Sequence, residues 1–218
     1  MNAPPNRCRI VLIAPPASRG EELAEMLLSA LSGGDVASVI LPAYGHETEL
    51  FQDIAGHVTP LLQERGIAVM IAGDSHVAGR VGADGLHVGG GPADISEAIS
   101  RHRPRMMVGA EGGQTRHDAL EIGELCPDYV FFGRIGYDRQ GEPHPRNLAL
   151  GAWWAEMVEI PCLVQGGSDP GSVEAVAATG AEFVALSAAV FGGKLAPAES
   201  IALANAILDK KAPRFDVG

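Results

Sequence analysis

Residues 162–192 read C-L-V-Q-G-G-S-D-P-G-S-V-E-A-V-A-A-T-G-A-E-F-V-A-L-S-A-A-V-F-G, and the fold is decided here. A short apolar run ends at Gly166–Gly167, a helical segment follows Asp169–Pro170, and a second apolar run ends in Ser187, Ala188 and Ala189. Strand, open turn, helix and strand follow one another, with small residues at both strand ends.

The same alternation extends through the chain. Strands are expected at Ile10–Ala14, Ala37–Leu41, Ala68–Ala72, Gly85–Val88, Arg105–Val108, Tyr129–Gly133, Pro161–Gln165 and Phe183–Ser187. Helices are expected near Glu21–Leu31, Glu47–Glu64, Ser75–Val81, Ile95–His102, Arg116–Glu124, Leu148–Met157, Gly171–Thr179 and Ala198–Asp209. Eight such units, with no linker or low-complexity stretch between them, fit a closed (β/α)8 TIM barrel spanning residues 1–218 as one domain. An open doubly wound sheet is the alternative. Its binding site would call for a Gly-rich first turn, and the first turn here reads A-P-P-A-S-R-G.

Composition narrows the function. Of 218 residues, 46% are hydrophobic, enough for a substantial core. With 16 Lys and Arg against 27 Asp and Glu, the formal net charge is −11. With no basic run to offset it, this charge argues against nucleic-acid and membrane-surface roles. The three cysteines are scattered, and no segment approaches the ~20 apolar residues of a membrane span. The first apolar run is too short for a signal-peptide core. A cytoplasmic location is the expectation.

Glycine is the outlier, at 28 residues. Much of it falls in turns after expected strands, which open on one face of a barrel. Turns after the last two strands of a barrel commonly bind phosphate through free N–H groups and a short helix N-terminus. Gly166, Gly167, Ser187, Ala188 and Ala189 are therefore candidate phosphate binders; tight strand-to-helix packing is the plainer use of such small residues. Gly89 and Gly90, in the turn G-G-G-P, and Gln165 are candidate substrate contacts.

Among side chains with chemistry, His87 lies inside the fourth strand and reads either as a hydrogen-bonded core residue or as a proton-transfer group at the barrel mouth. Glu111 is a second proton-transfer candidate. Arg134, directly after the sixth strand, has the best claim among the arginines to hold a phosphoryl oxygen. Arg139 and Arg146 are expected to pair with Asp138 or Glu142. Asp74 and Asp94 flank the open side and could hold Mg2+, a cation that takes one or two carboxylates plus phosphate and water. For Asp74 a helix N-cap is the alternative. Asp84 belongs to the opposite end of the barrel.

The segments G-A-D-G-L-H-V-G, D-Y-V-F-F-G-R-I, I-P-C-L-V-Q-G-G and G-A-E-F-V-A-L-S-A-A-V-F, in this order, resemble the family of thiamine phosphate synthase and its relative thiazole tautomerase. The resemblance implies a (β/α)8 barrel that joins hydroxymethylpyrimidine diphosphate to thiazole phosphate, with Mg2+ as cofactor and small phosphorylated molecules as ligands. It suggests a small homo-oligomer. Several family groups are replaced. The Q-L-R-x-K of the second strand is V-I-L-P-A-Y, H-L-G-Q-x-D is H-V-G-G-G-P, P-T-x-T-K is G-Y-D-R-Q-G, and the Ser before A-I-F aligns with Ala188. The tautomerase His after the fifth strand is also missing. A tautomerase-like isomerase and a noncatalytic barrel that binds thiazole phosphate or thiamine phosphate are therefore the alternative functions.

Overall fold

The computed structural model describes residues 5–215. Eight parallel strands close into a barrel, each paired with its sequence neighbours and β1 with β8: β1 (Arg9–Ile13), β2 (Ser38–Pro42), β3 (Ala68–Ala72), β4 (Gly85–Val88), β5 (Met107–Glu111), β6 (Tyr129–Phe132), β7 (Cys162–Gln165) and β8 (Phe183–Leu186). Outside them run α1 (Gly20–Leu31), α2 (Thr48–Gln63), α3 (Ser75–Val81), α4 (Pro92–His102), α5 (Arg116–Gly123), α6 (Pro145–Met157), α7 (Val173–Ala177), α8 (Ala188–Phe191) and α9 (Pro197–Lys211). The expected (β/α)8 barrel is what forms.

Each strand sends alternate residues to two cores. Val11, Ile13, Ile40, Met70, Phe131, Leu163 and Ala185 pack inside the barrel. Ile10, Leu12, Val39, Leu41, Val69, Ile71, Val130, Val164 and Val184 face the helices. The interior is thus filled with side chains, and a ligand can be received only at its ends.

Several boundaries shift, with α4 and α6 starting three residues earlier than expected and α7 confined to Val173–Ala177, and two differences bear on the site. β5 runs from Met107 to Glu111 and not from Arg105. The amides of Arg105 and Met106 both donate to the His102 carbonyl and close a turn, while Gly109–Glu111 pair with Tyr129–Phe131. Gly109 is tolerated within this strand because the Tyr129 ring occupies the space a side chain there would need. The other difference is α8, a single extra turn directly after β8, ahead of the expected last helix.

Acidic residues close the lower rim. Asp84, before β4, accepts the Val69 amide at 2.7 Å. Asp128, before β6, accepts that of Val108 at 2.6 Å, and Glu182, before β8, that of Cys162 at 2.8 Å. Asp35, before β2, holds Arg9 at 2.7 Å. The acids inside G-A-D-G, D-Y and G-A-E-F are thus structural, as expected for Asp84.

Candidate active site

The turns after β7 and β8 meet at the upper rim, and the loop between β6 and α6 lies across them. The Gly166 amide continues the sheet by donating to Ala185 at 2.9 Å, and that of Gly167 donates to the Ser172 hydroxyl at 2.9 Å. The Ser168 amide donates to the Gln140 carbonyl at 2.7 Å and that of Asp169 to Gly141 at 3.3 Å. A side chain on Gly167 would run into the Gly141 carbonyl, so this glycine is what lets the loop seat itself. From the same loop, Asp138 reaches α8, and its carboxylate accepts the Ala188 amide at 2.6 Å. Ser187 and Ala188 are half-buried and Ala189 is buried.

Asp138 therefore does not serve as a surface partner for an arginine, as was expected of it. Arg146 donates instead to Gln114 at 3.0 Å, and neither Arg139 nor Arg146 forms an ion pair among the described residues. The expectation fails because the loop folds inward, which carries Asp138 beneath the rim while Arg139 and Arg146 stay exposed, Arg146 at the start of α6.

Beside this cup opens a cavity of about 590 Å3, lined by Gln114, Arg134, Tyr137, His144, Arg146 and Gln165 among others. Gln165 is buried, and both ends of its amide bond Arg134. Its oxygen accepts the Arg134 amide and its nitrogen donates to the Arg134 carbonyl, each at 2.8 Å. The residue expected to touch substrate borders the cavity and also clamps the backbone where Arg134 leaves the barrel, with one N–H and one oxygen lone pair left over. The Arg134 guanidinium stacks 3.9 Å from the centre of the Tyr137 ring, exposed to the cavity.

Glu111 ends β5 on the same face, its carboxylate about 3.6 Å from where a Gly89 side chain would begin. Partial burial raises its pKa above the ordinary carboxylate value, and the nearby Arg134 charge opposes that shift. Gly89 and Gly90 are exposed in an open turn, Gly90 with φ +108°. Glu111, Arg134 and Gly89 therefore occupy one rim.

His87 is below it. Its ring lies in the barrel interior, 2% exposed, stacked on Tyr129 and edge-on to Phe131. Its Nδ1 is 2.9 Å from the Tyr129 hydroxyl. Burial lowers its pKa to about 4 and raises that of Tyr129. One ring nitrogen is thus hydrogen-bonded in the core, while Nε2 is buried without a partner and His87 also borders the cavity above β3 and β4.

Asp74 and Asp94 both border a second cavity of about 330 Å3 above β3 and β4. Each caps a helix. Asp74 accepts the His76 and Val77 amides at 2.8 and 3.2 Å, with the Thr48 hydroxyl at 3.3 Å, and Asp94 accepts the Gly91 amide at 3.1 Å. Slight burial works to raise the Asp74 pKa, but these donors outweigh it and hold the carboxyl below its ordinary value. Among the described residues, no three His, Cys, Asp or Glu side chains converge as a metal site.

Two participants were not foreseen. Tyr44, with φ +49°, turns its hydroxyl onto the Ala14 carbonyl at 2.7 Å beside Ser187, where burial and then the Asp138 charge push its pKa up to about 12. It ends the stretch V-I-L-P-A-Y that stands in place of the family's Q-L-R-x-K. The sequence marks Asp138 only as a surface acid. In both cases the decisive fact is how a loop folds, and residue type carries no signal for that.

The chain from residue 10 to 190 matches the family model described as thiamine monophosphate synthase. It is 32% identical to the thiamine-phosphate synthase of Rhodospirillum centenum, over 92% of this chain and 98% of that one. It is 31% identical to that of Hyphomonas neptunium, over 96% and 97%. The structure overlays on thiamine phosphate pyrophosphorylase from Pyrococcus furiosus with a TM-score of 0.76, at 23% identity, covering 94% of this chain and 97% of that one, a likeness of fold. No helix among the described residues is long and apolar enough to cross a membrane. With a closed barrel, the family model matched over residues 10–190 and relatives matched over nearly their whole length, the chain belongs to the thiamine monophosphate synthase family.

Proposed function

We propose that this chain joins hydroxymethylpyrimidine diphosphate to thiazole phosphate, giving thiamine phosphate and pyrophosphate. The observation that carries the reading is the full-length match to thiamine-phosphate synthases, set on a barrel whose upper rim holds a cavity beside the β7 and β8 turns. In this reaction the bond from the pyrimidine methylene to the diphosphate oxygen breaks, and the thiazole nitrogen supplies the pair for the new C–N bond. No proton has to move in that step, so the protein's task is to place two rings and to stabilise separated charge.

Arg134 faces the departing diphosphate, held in register by the Gln165 clamp. Glu111, on the same rim, opposes the positive charge that develops on the pyrimidine methylene. The β7 and β8 turns receive the thiazole phosphate at Gly167 and Ala188. His87 positions from below by filling the floor through Tyr129 and Phe131.

The family reading includes Mg2+. Asp74 and Asp94 border one cavity, and each retains carboxylate lone pairs beyond its capping bonds. That suits an ion which takes one or two carboxylates and fills its other positions with diphosphate oxygens and water, and it does not suit a site built from protein ligands alone. Asp74 and Asp94 would hold such an ion, whose contribution when bound is to neutralise diphosphate charge. The partners this reading requires are small phosphorylated molecules. A cytoplasmic setting and a small homo-oligomer complete the proposal, the latter checked by sedimentation. Pyrophosphate release tests the activity: it is expected only when both substrates and Mg2+ are present, and release that ignores omission of thiazole phosphate would contradict the reading.

A further inference from the structure

The loop after β6 carries a buried carboxylate that the reaction above does not use. Asp138 is 8% exposed, although Tyr137, Arg139 and Gln140 around it are exposed. Its oxygen takes the Ala188 amide at 2.6 Å, and two residues further on the carbonyls of Gln140 and Gly141 take the amides of Ser168 and Asp169. Three backbone donors of the cup are thus satisfied by one short strap, residues 138–141. The contact on Ala188 is made by an anion.

A carboxylate oxygen and a phosphate oxygen ask the same thing of a backbone amide, and a donor in a charge-assisted bond to one is not free for the other. The two anions also repel at this range, in a half-buried setting where solvent screens them poorly. The Tyr44 hydroxyl is close enough to feel the Asp138 charge, and no Lys or Arg forms an ion pair with that carboxylate among the described residues. We propose that Asp138 is an internal competitor for the phosphate of the incoming ligand and that the strap lifts when a phosphorylated ligand binds. The proposal rests on the reading that this cup is the phosphate seat. It makes Asp138 a specificity-determining residue: the ligand's phosphate must displace a carboxylate, so it contributes less to binding than it would in an open cup.

Calorimetric titration of the full chain with inorganic phosphate tests this, comparing wild type, Asp138→Asn and Asp138→Ala. The Asn variant keeps an oxygen for Ala188 and removes only the charge; the Ala variant removes both. Phosphate is expected to bind about tenfold more tightly to D138N and at least as tightly again to D138A, which is the scale of one charge-assisted bond. Should D138A fail to fold, as judged by circular dichroism, D138N alone decides. Equal affinity in wild type and variant overturns the role of Asp138 and leaves the seat in place. Weaker affinity in folded variants also overturns it, since Asp138 would then organise the cup. Absence of phosphate binding in every protein overturns both the competitor and the seat.

Discussion

Glu111 shows how much one residue's surroundings decide. Its carboxyl is half-buried at the end of β5, with its pKa raised by desolvation against the pull of Arg134. The charged form that opposes a developing cation is present above that raised pKa and disappears as pH falls through it. Activity should therefore have an acidic limb lying above the usual carboxylate range. Glu111→Gln should lower kcat on the order of 100-fold and flatten that limb, as a kcat–pH profile would reveal. His87 gives the opposite lesson. Its folded pKa of about 4 lies below the ordinary 6.5, so between these values the unfolded chain binds the proton more readily. Its contribution is fully present above pH 6.5 and is lost as pH falls towards 4, by about 3 kcal/mol. Denaturant unfolding from pH 7 to 4 should show this slope in wild type and a shallower one in His87→Leu. The strand pattern places His87 in the barrel and leaves open whether it is a hydrogen-bonded core residue or a proton-transfer group at the mouth. The rings of Tyr129 and Phe131 that bury it come from another strand, which its own sequence does not show.

At the scale of elements, turn chemistry was the legible part at two places: Asp74 before α3 and Asp169–Pro170 after β7 each mark a helix start, because their side chains satisfy or dispense with N–H groups left free there. The start of α4 at Pro92, three residues before the expected Ile95, went unread although Pro suits a first helical position. Asp74→Ala should therefore cost about 1 kcal/mol through loss of the cap. If the carboxylate also meets Mg2+, the same variant should need more Mg2+ for half-maximal activity, so thermal melting and a metal titration separate its two uses. β5 begins two residues and ends three residues later than expected, because M-M-V looks more strand-like than G-A-E. The pairing partners on β4 and β6 outweigh that local preference. The long β6–α6 loop was illegible for a related reason. Its position depends on backbone bonds to Ser168 and Asp169, which any sequence with a glycine at 167 could offer.

For the whole molecule, the closed barrel was readable from alternation alone, since eight units with no break have few other ways to bury both faces of a parallel sheet. The net charge of −11 reads differently once placed. Asp84, Asp128, Glu182 and Asp35 close the lower rim, and Asp138 occupies the upper cup, so part of the acidity holds strands and loops. The cavity keeps two arginines, Arg134 and Arg146, while the basic residues the family carries on the second strand are replaced. Whether that suffices for synthesis is answered most directly by incubating the purified chain with hydroxymethylpyrimidine diphosphate, thiazole phosphate and Mg2+ and measuring thiamine phosphate by mass spectrometry. The account predicts thiamine phosphate accumulating in step with pyrophosphate; no thiamine phosphate, under conditions where a known synthase produces it, would contradict the account.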